Sequence, residues 1–484
     1  MAPSAISPTR SEATHGENLE IPTPMNGHTM TPNEEIPSSL APQNPSDEEL
    51  DLICVGFGPA SLAIAIALHD AHTASPLTPR PKVLFLEKQS QFAWHAGMQL
   101  PGAKMQISFL KDLATPRDPT SRFTFTNYLH QNGRLNHFIN LGTFLPSRAE
   151  YEDYLRWCAS HFSDTVQYNQ EVSGVTSATN GPDGKVTSFS VTSRDVTGGH
   201  YISRKARNVV IAAGGKPVLP EVFQGLKHIA HSSQYASTIT QISERECTRS
   251  PSFAVIGSGQ SAAEIFNNLW SRFPNSQIRL VIRGASLRQS DDSPFVNEIF
   301  DPDRVDGIYA QSPSERAAAL ALDRGTNYGV VRLTLLEHLY DEMYQQRLRE
   351  PDSSKWRCQI LPQRNVTSAT QGDNGEVVMH LSSKSGEEVL KADYVFAATG
   401  YQRNAHEEML SSLSGLLPEK AEAGARLPVS REYKVLYDTE KIDKAAGIWL
   451  QGCNEATHGL SDTLLSILAI RSGELVQSIF GQQS

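Results

Sequence analysis

The chain has 484 residues and a formal net charge of −10 at pH 7, and this length predicts two or three domains with large buried cores. Hydrophobic residues make up 39% and charged residues 20% of the sequence, as in an ordinary globular protein. The acidic balance lacks the basic footprint of a nucleic-acid-binding protein, and no apolar run approaches the roughly 20 residues that span a bilayer. We therefore expect no nucleic-acid partner and no membrane span.

The amino-terminal segment and the cysteines bound the architecture further. Residues 1–49 are rich in Pro, Ser, Thr and Glu and poor in aromatics, which predicts a disordered tail. Five scattered cysteines form no C-x-x-C pair, so neither a zinc site nor a redox dithiol is indicated. This odd, sparse set fits a reducing compartment, and we expect a cytoplasmic protein. The isolated histidines do not suggest a metal site.

Order is predicted to begin with a βαβ unit. A strand over 51–55 precedes a glycine-rich turn, an apolar helix over 60–71 and a second strand over 82–87. This succession is typical of a nucleotide-binding unit with a parallel sheet.

The turn of this unit carries an imperfect dinucleotide-binding motif. Gly56 permits the tight turn, and Gly58 lets the backbone approach a pyrophosphate at the helix N-terminus. Ser61 occupies the third glycine position, and Glu87 ends the second strand. A carboxylate there can accept hydrogen bonds from a ribose.

A second copy of the pattern follows. A strand over 253–256 leads into the turn 257–259, a helix over 261–272 and a strand over 277–283. This strand ends in Arg283, where an NAD-binding unit would have an acid. A guanidinium can pair with the 2′-phosphate of NADPH, so the second unit is predicted to prefer NADPH over NADH.

Two nucleotide-binding units without a redox dithiol indicate a flavoprotein that passes electrons to oxygen or an outside acceptor. A nucleotide-sensing protein without catalytic activity is an alternative.

Segments 208–215 and 393–400 resemble each other, because each is an apolar strand that ends in small residues and glycine. This resemblance predicts that the chain crosses between domains at these two segments. The predicted fold is α/β, with an NADPH-binding Rossmann-like domain inserted in a FAD-binding one. The predicted boundaries are 1–49 for the tail, 50–217 and 394–480 for the FAD-binding domain, 218–290 and 332–393 for the NADPH-binding domain, and 291–331 for a small substrate-binding region.

The most distinctive stretches lie outside the two glycine turns. They are WHAGM (94–98), KMQISFLKDL (104–113), RDP (117–119), FTF (123–125), NYL (127–129), NEIF (297–300), NYG (327–329), ATGY (398–401) and THGLSDTLLS (457–466). Together with the turns, they resemble the fungal and bacterial L-ornithine N5-monooxygenases over about residues 50–480. Those enzymes make hydroxyornithine for hydroxamate siderophores.

The resemblance implies a role for several polar residues. Gln106 would lie near the reactive edge of the flavin and Asn327 near the side-chain amine of the substrate, which makes both catalytic candidates. Lys111 would pair with the substrate carboxylate. Asn297 and Ser466 would hold its α-amino end.

The resemblance also implies the two cofactor sites. The FAD contacts are expected at Gly56, Gly58, Ser61, Glu87, His95, Gln106, Val172, Thr463, Leu464 and Leu465. The NADPH contacts are expected at Ser258, Gly259, Gln260, Ser261, Arg283 and Asn297.

The last helix is predicted from the residues themselves. The run 457–461 is glycine-containing and feeds an apolar segment, so a helix is expected from near Asp462 with Ser461 as its N-cap. Aimed at the flavin, its N-terminus would stabilise the anionic reduced flavin by about 0.3–2 kcal/mol.

The implied reaction is the N5-hydroxylation of L-ornithine by O2 through a C4a-hydroperoxyflavin, an early step of siderophore biosynthesis, in a homotetramer. The nearest alternative is an L-lysine N6-hydroxylase, since one methylene is worth only about 1–3 kcal/mol of discrimination. A flavin monooxygenase of sulfides or ketones and a non-enzymatic NADPH-binding regulator are two further candidate classes. A carboxylate-pairing Lys111 argues against uncharged substrates.

Overall fold

The computed structural model describes residues 48–75, 80–245, 250–419 and 426–481, which all belong to one compact unit. Residues 1–47 of the predicted tail lie outside these ranges. Two mainly parallel sheets form the centre of the described part, and helices cover them.

The strands of the described residues are numbered in chain order. They are β1 (Leu50–Val55), β2 (Val83–Leu86), β3 (Val166–Gln167), β4 (Gln170–Asn180), β5 (Val186–Asp195), β6 (Tyr201–Ile211), β7 (Lys216–Pro217), β8 (Ile229–His231), β9 (Phe253–Ile256), β10 (Ile278–Val281), β11 (Cys358–Leu361), β12 (Asn365–Gln371), β13 (Val377–Ser383), β14 (Gly386–Ala392), β15 (Tyr394–Ala397), β16 (Tyr401–Gln402) and β17 (Gly447–Leu450).

The α-helices of the same residues follow in chain order. They are α1 (Pro59–Ala74), α2 (Phe125–Gln131), α3 (Leu135–Asn140), α4 (Arg148–Ser160), α5 (Tyr235–Arg245), α6 (Gln260–Arg272), α7 (Pro294–Asn297), α8 (Arg304–Ala310), α9 (Pro313–Asn327), α10 (Leu333–Arg349), α11 (Ala405–Met409), α12 (Glu455–His458) and α13 (Leu468–Phe480).

The first sheet has the order β3-β2-β1-β6-β5-β4, and β17 also pairs with β6. Strands β1, β2, β3, β6 and β17 run parallel, whereas β4 and β5 form an antiparallel hairpin. The central strand β1 is almost entirely buried, as its apolar sequence requires when helices cover both faces of a parallel sheet. Helix α1 is apolar and buried from Leu62 to Leu68, and it packs against α13.

The second sheet has the order β11-β10-β9-β15-β8, with every pairing parallel. Its strands all come from residues between β7 and β16, while β17 returns to the first sheet. The predicted fold class, one Rossmann-like domain inserted in another, is confirmed.

The boundary predicted between residues 393 and 394 is wrong. It assigned 394–397 to the first domain, but β15 lies inside the second sheet, between β9 and β8. The crossing comes a few residues later. There β16 pairs antiparallel with β7, with Tyr401 opposite Pro217 and Gln402 opposite Lys216. The two chain crossings therefore form one two-stranded ribbon, which we call the neck.

The last helix begins later than its sequence predicts. Helix α13 starts at Leu468, and the preceding residues form two short 3₁₀ turns, Leu460–Thr463 and Leu465–Ile467. Ser461 is buried inside the first turn and does not cap the helix. A buried ion pair of Asp462, described below, holds these turns in place of a continuous helix.

Candidate functional site

The first glycine turn has the shape that a dinucleotide requires. Gly56 has a φ of +90°, and a Cβ on it would lie 2.6 Å from the carbonyl oxygen of Ala212, so a larger residue is excluded. Gly58 is the N-cap of α1, and a Cβ on it would meet nothing within 4 Å. The buried Ser61 Oγ has no hydrogen-bond partner among the described residues. Open space and an unsatisfied hydroxyl at a helix N-terminus fit a pyrophosphate.

Glu87 joins this turn to the neighbouring strands. Its Oε2 accepts a hydrogen bond from the Phe57 N–H at 2.7 Å, and its Oε1 accepts one from the Gln89 N–H at 2.9 Å. Its carbonyl oxygen accepts from the N–H of Gln170, two residues before Val172 on β4. A carboxylate can accept about four hydrogen bonds, so Glu87 keeps free lone pairs that fit a ribose hydroxyl.

The second glycine turn repeats the geometry of the first. Gly257 has a φ of +137°, and a Cβ on it would lie 2.4 Å from the carbonyl oxygen of Ala398. Gly259 is the N-cap of α6. Arg283 is exposed just beyond β10, whose Val281 pairs with Ile256 immediately before the turn. The guanidinium is thus at the same sheet edge as the turn, where a 2′-phosphate is expected.

The side chain of Gln260 is already engaged within the protein. Its Nε2 donates to Glu264 at 2.9 Å, and its Oε1 accepts from the N–H of Arg332 at 2.9 Å. The predicted contact of Gln260 with NADPH is therefore left to its main chain. The neighbouring Ser258 and Ser261 are partly exposed.

One short segment touches both the second turn and the carboxyl-terminal turns. A Cβ on Gly259 would lie 3.5 Å from the Cα of Gly329. Two residues earlier in that segment, Asn327 ends α9. The Tyr328 hydroxyl donates to Glu455 at 2.6 Å and lies 3.5 Å from the Thr463 hydroxyl. The two residues that follow Asn327 therefore contact residues predicted to bind the two cofactors.

Lys111 and Asn297, two of the predicted substrate-binding residues, lie at opposite ends of one 3₁₀ turn. The Lys111 Nζ lies 3.8 Å from Asp301 Oδ1, and Asp301 follows the 3₁₀ turn Glu298–Phe300 that begins after Asn297. The Asn297 Nδ2 donates to the carbonyl oxygen of Asp292 at 2.8 Å. The side chains of Lys111 and Asp301 are 37% and 47% exposed, so this pair is weak. A substrate carboxylate can compete for the ammonium.

Gln106 and His95 are the two remaining predicted FAD contacts that precede α2. Gln106 is exposed and follows Met105, which is buried. His95 has a φ of 47°, and its ring centroid lies 6.2 Å from that of Tyr401 in the neck. His95 thus lies where the chain crosses between the sheets.

The carboxyl-terminal turns rest on a buried ion pair. Arg471 Nη1 donates to Asp462 Oδ1 at 2.9 Å, and both side chains are almost fully buried. Asp462 Oδ2 also accepts from the N–H of Asn454 at 2.7 Å. Breaking such a pair typically costs about 3–5 kcal/mol. Asp462 and Arg471 therefore fix the turns that carry the predicted FAD contacts Thr463, Leu464 and Leu465, which are partly exposed.

Ser466 lies in the second of these turns and is buried. Its Oγ has no hydrogen-bond partner in the part of the chain that the structure describes. An unsatisfied buried hydroxyl is costly unless a ligand completes it. This observation fits the expected contact of Ser466 with a substrate.

The sequence interpretation did not find Asp462, Arg471, Glu264 or Arg332. The spacing of nine residues between Asp462 and Arg471 follows no helical period, because a turn interrupts the helix. Glu264 could have been found, since it lies one helical turn after Gln260. Arg332 gave no local signal.

No group of three or more His, Cys, Asp or Glu is placed to hold a metal within the described ranges. Among those same residues, no helix is both long and apolar enough to cross a bilayer.

One nucleotide-binding unit inserted in another, each with a glycine turn at a helix N-terminus, defines the class of two-domain dinucleotide-binding oxidoreductases. A sequence model of the L-lysine 6-monooxygenase/L-ornithine 5-monooxygenase family matches residues 48–403. The L-ornithine N(5)-monooxygenase of Emericella nidulans is 51% identical in an alignment of 462 positions that covers 92% of each chain.

Two solved structures are similar over nearly the same span. The ornithine hydroxylase PvdA of Pseudomonas aeruginosa has a TM-score of 0.81 and 38% identity, covering 90% of this chain and 100% of its own. The ornithine N-hydroxylase KtzI of Kutzneria sp. 744, solved with reduced FAD, NADP⁺ and L-ornithine, has a TM-score of 0.81 and 34% identity with the same coverage. The chain belongs to the L-lysine 6-monooxygenase/L-ornithine 5-monooxygenase family, a family of flavin-dependent monooxygenases.

Proposed function

We propose that the protein hydroxylates the side-chain amine of L-ornithine to N5-hydroxyornithine, using FAD, NADPH and O2. The observation that carries this proposal is the segment Asn327–Gly329, which contacts the second glycine turn on one side and Thr463 on the other. A substrate held beside Asn327 would lie between the two cofactor sites. The relatives named for ornithine support the choice of substrate over lysine.

The two glycine turns are assigned to different cofactors in this proposal. The turn at Gly56, with Ser61 and Glu87, would hold the FAD, and the turn at Gly257, with Arg283, would hold the NADPH. The remaining FAD contacts are His95, Gln106, Val172 and Thr463–Leu465. Once bound, FAD and NADPH supply electron transfer and oxygen activation. The protein positions them and excludes water.

The substrate residues orient the diamino acid. Lys111 would pair with the substrate carboxylate in place of Asp301. Asn297 and Ser466 would hold the α-amino end of the substrate. The reacting amine must lose a proton before it can attack oxygen. For a lysine-like amine with a pKa of about 10.4, this costs roughly 3 kcal/mol at pH 8. Desolvation of the amine in the site would lower that cost.

The experiment that tests the proposal is a product assay on the purified full chain reconstituted with FAD. We expect NADPH-dependent formation of hydroxylated ornithine, with much less product from L-lysine. NADPH oxidation without hydroxylated product, or a chain that does not bind flavin, would contradict the proposal. A higher kcat/KM with lysine would move the substrate assignment to the longer diamino acid.

Lys111→Ala tests the carboxylate contact directly. We expect the KM for L-ornithine to rise about tenfold or more, because a hydrogen bond to a charged group contributes about 1.5–3 kcal/mol. The rate of flavin reduction by NADPH should stay close to that of the unmodified protein. Lys384→Ala, in the exposed turn between β13 and β14, is the matched control. An unchanged ornithine KM in Lys111→Ala would exclude this assignment.

The family resemblance supports three broader proposals. We propose that the product enters hydroxamate siderophore biosynthesis, that the enzyme works in the cytoplasm, and that it assembles as a homotetramer. Sedimentation of the purified protein tests the assembly, and loss of siderophore from a deletion strain tests the pathway.

A further inference from the structure

A chain of hydrogen bonds connects the second glycine turn to the loop that carries Gln106. Arg148 forms a two-pronged ion pair with Glu264, with Nη1 to Oε2 at 3.0 Å and Nη2 to Oε1 at 2.9 Å. These side chains are only 13% and 9% exposed. The Oε1 of Glu264 also accepts from Gln260 Nε2 at 2.9 Å. The ion pair is therefore tied to the first residue of α6.

The series of hydrogen bonds continues from Gln260 to residues of the other domain. Gln260 Oε1 accepts from the N–H of Arg332 at 2.9 Å, and Arg332 Nη1 donates to the carbonyl oxygen of Met105 at 2.9 Å. The N–H of Arg148 donates to the carbonyl oxygen of Ala103 at 2.8 Å. The bonds thus close into a ring through residues 103–105. We call Arg148, Glu264, Gln260 and Arg332 the bridging network.

The ring joins the first turn of α6 to residues 103–105. Gln260 follows Gly259, so a ligand at the N-terminus of α6 acts on the residue that anchors the network. Gln106 follows Met105, whose carbonyl oxygen is the other end. Every bond in the path is between 2.8 and 3.0 Å, so the first turn of α6 is linked without a gap to the residues that precede Gln106.

We infer that Arg332 and Glu264 are positioning residues that set the place of Gln106 according to the occupancy of the second glycine turn. The inference rests on the proposed function, because it gives Gln106 a place near the flavin. Neither residue needs to touch substrate or cofactor. Their effect acts through Met105 and Gln260.

Arg332→Gln and Glu264→Gln test the inference in the full chain loaded with FAD. NADPH consumption should persist in both variants, while hydroxylated product per NADPH falls about tenfold, since small misplacements of a reacting group cost up to about 100-fold. Released hydrogen peroxide should account for the difference. Arg332→Lys keeps a donor for the Met105 carbonyl and should restore part of the coupling, which a purely structural role does not predict.

Arg349→Gln is the control, since Arg349 is exposed at the far end of α10. Coupling in Arg332→Gln equal to that of Arg349→Gln would overturn the inference. If the variants do not fold, a hydrogen-exchange measurement on the unmodified protein still tests the inference. NADP⁺ should slow amide hydrogen exchange in peptides that cover residues 103–106 of the unmodified protein.

The exchange measurement needs no hydroxylated product, so the two proposals fail separately. Absence of hydroxyornithine with an intact NADP⁺ response would defeat the proposed function alone. Unchanged exchange of residues 103–106 on NADP⁺ addition would defeat the bridging role, whatever the enzyme makes.

Discussion

At the scale of single residues, the proposed preference for NADPH depends on Arg283. Arg283→Ala should raise the KM for NADPH by about tenfold or more, because a charge-assisted hydrogen bond contributes about 1.5–3 kcal/mol. The KM for NADH should change little, since NADH has no 2′-phosphate and so provides the internal control. Steady-state rates with both nucleotides measure the ratio. An equal loss of activity with NADPH and with NADH would contradict the proposed contact of Arg283 with the 2′-phosphate.

The residues of the site differ in how far their partners lie along the chain. Gly56 and Glu87 are predictable from a motif, because their roles depend on neighbours within one βαβ unit. The contact of Lys111 with Asp301 is not predictable, since 190 residues separate two exposed side chains. The role of Arg332 is not predictable either, because its hydrogen bond to the carbonyl oxygen of Met105 spans 227 residues.

At the scale of elements, strands and helices with a strong pattern agree with their predicted bounds. Strand β9 has the predicted bounds and α6 begins one residue earlier than expected. The last helix begins six residues later than predicted, because the ion pair of Asp462 with Arg471 overrides local helix propensity. The predicted end of the inserted domain is wrong because β15 is as apolar as the parallel strands of the first sheet, so composition does not tell the two sheets apart.

The two glycine turns allow a matched comparison. Gly56→Ala and Gly257→Ala each place a methyl group against a carbonyl oxygen, at 2.6 and 2.4 Å, and each forces a side chain into the left-handed region. We expect the first change to abolish flavin retention. The second should leave flavin bound and impair reduction by NADPH.

Gly58→Ala is the control for these two variants. Its φ is −83° and an added Cβ meets nothing within 4 Å, so the thermal stability should not change. A weaker affinity for FAD is still expected, because the methyl group would occupy the space assigned to the pyrophosphate. Loss of flavin in Gly257→Ala with retention in Gly56→Ala would reverse the assignment of the two turns.

At the scale of the whole molecule, stability should respond to pH through a buried imidazole. His69 lies on the buried face of α1, and its ring centroid is 5.2 Å from that of Phe123. Burial lowers the pKa of His69 to about 4, and Arg122 adds to this effect. In the unfolded chain the pKa is about 6.5. The unfolded state therefore binds the proton first, and this group makes the fold less stable as the pH falls below about 6.5.

His69→Phe should remove that dependence. Between pH 7 and pH 5, the unfolding free energy of the unmodified protein should fall relative to that of the variant, as measured by denaturant titration. His137→Phe, on an exposed position of α3, controls for the added ring. A constant difference between the proteins across this pH range would contradict the assignment.

The neck has a consequence for how such a molecule can be assembled from parts. Because Lys216–Pro217 and Tyr401–Gln402 are paired strands, the entry and exit of the inserted segment lie about 4.8 Å apart. Because the inserted segment enters and leaves at neighbouring positions, the first sheet keeps its strand order around the insertion. The inserted segment is thus joined to the first sheet through a single two-stranded ribbon, and we expect that replacing residues between these two strands would leave the strand order of the first sheet unchanged.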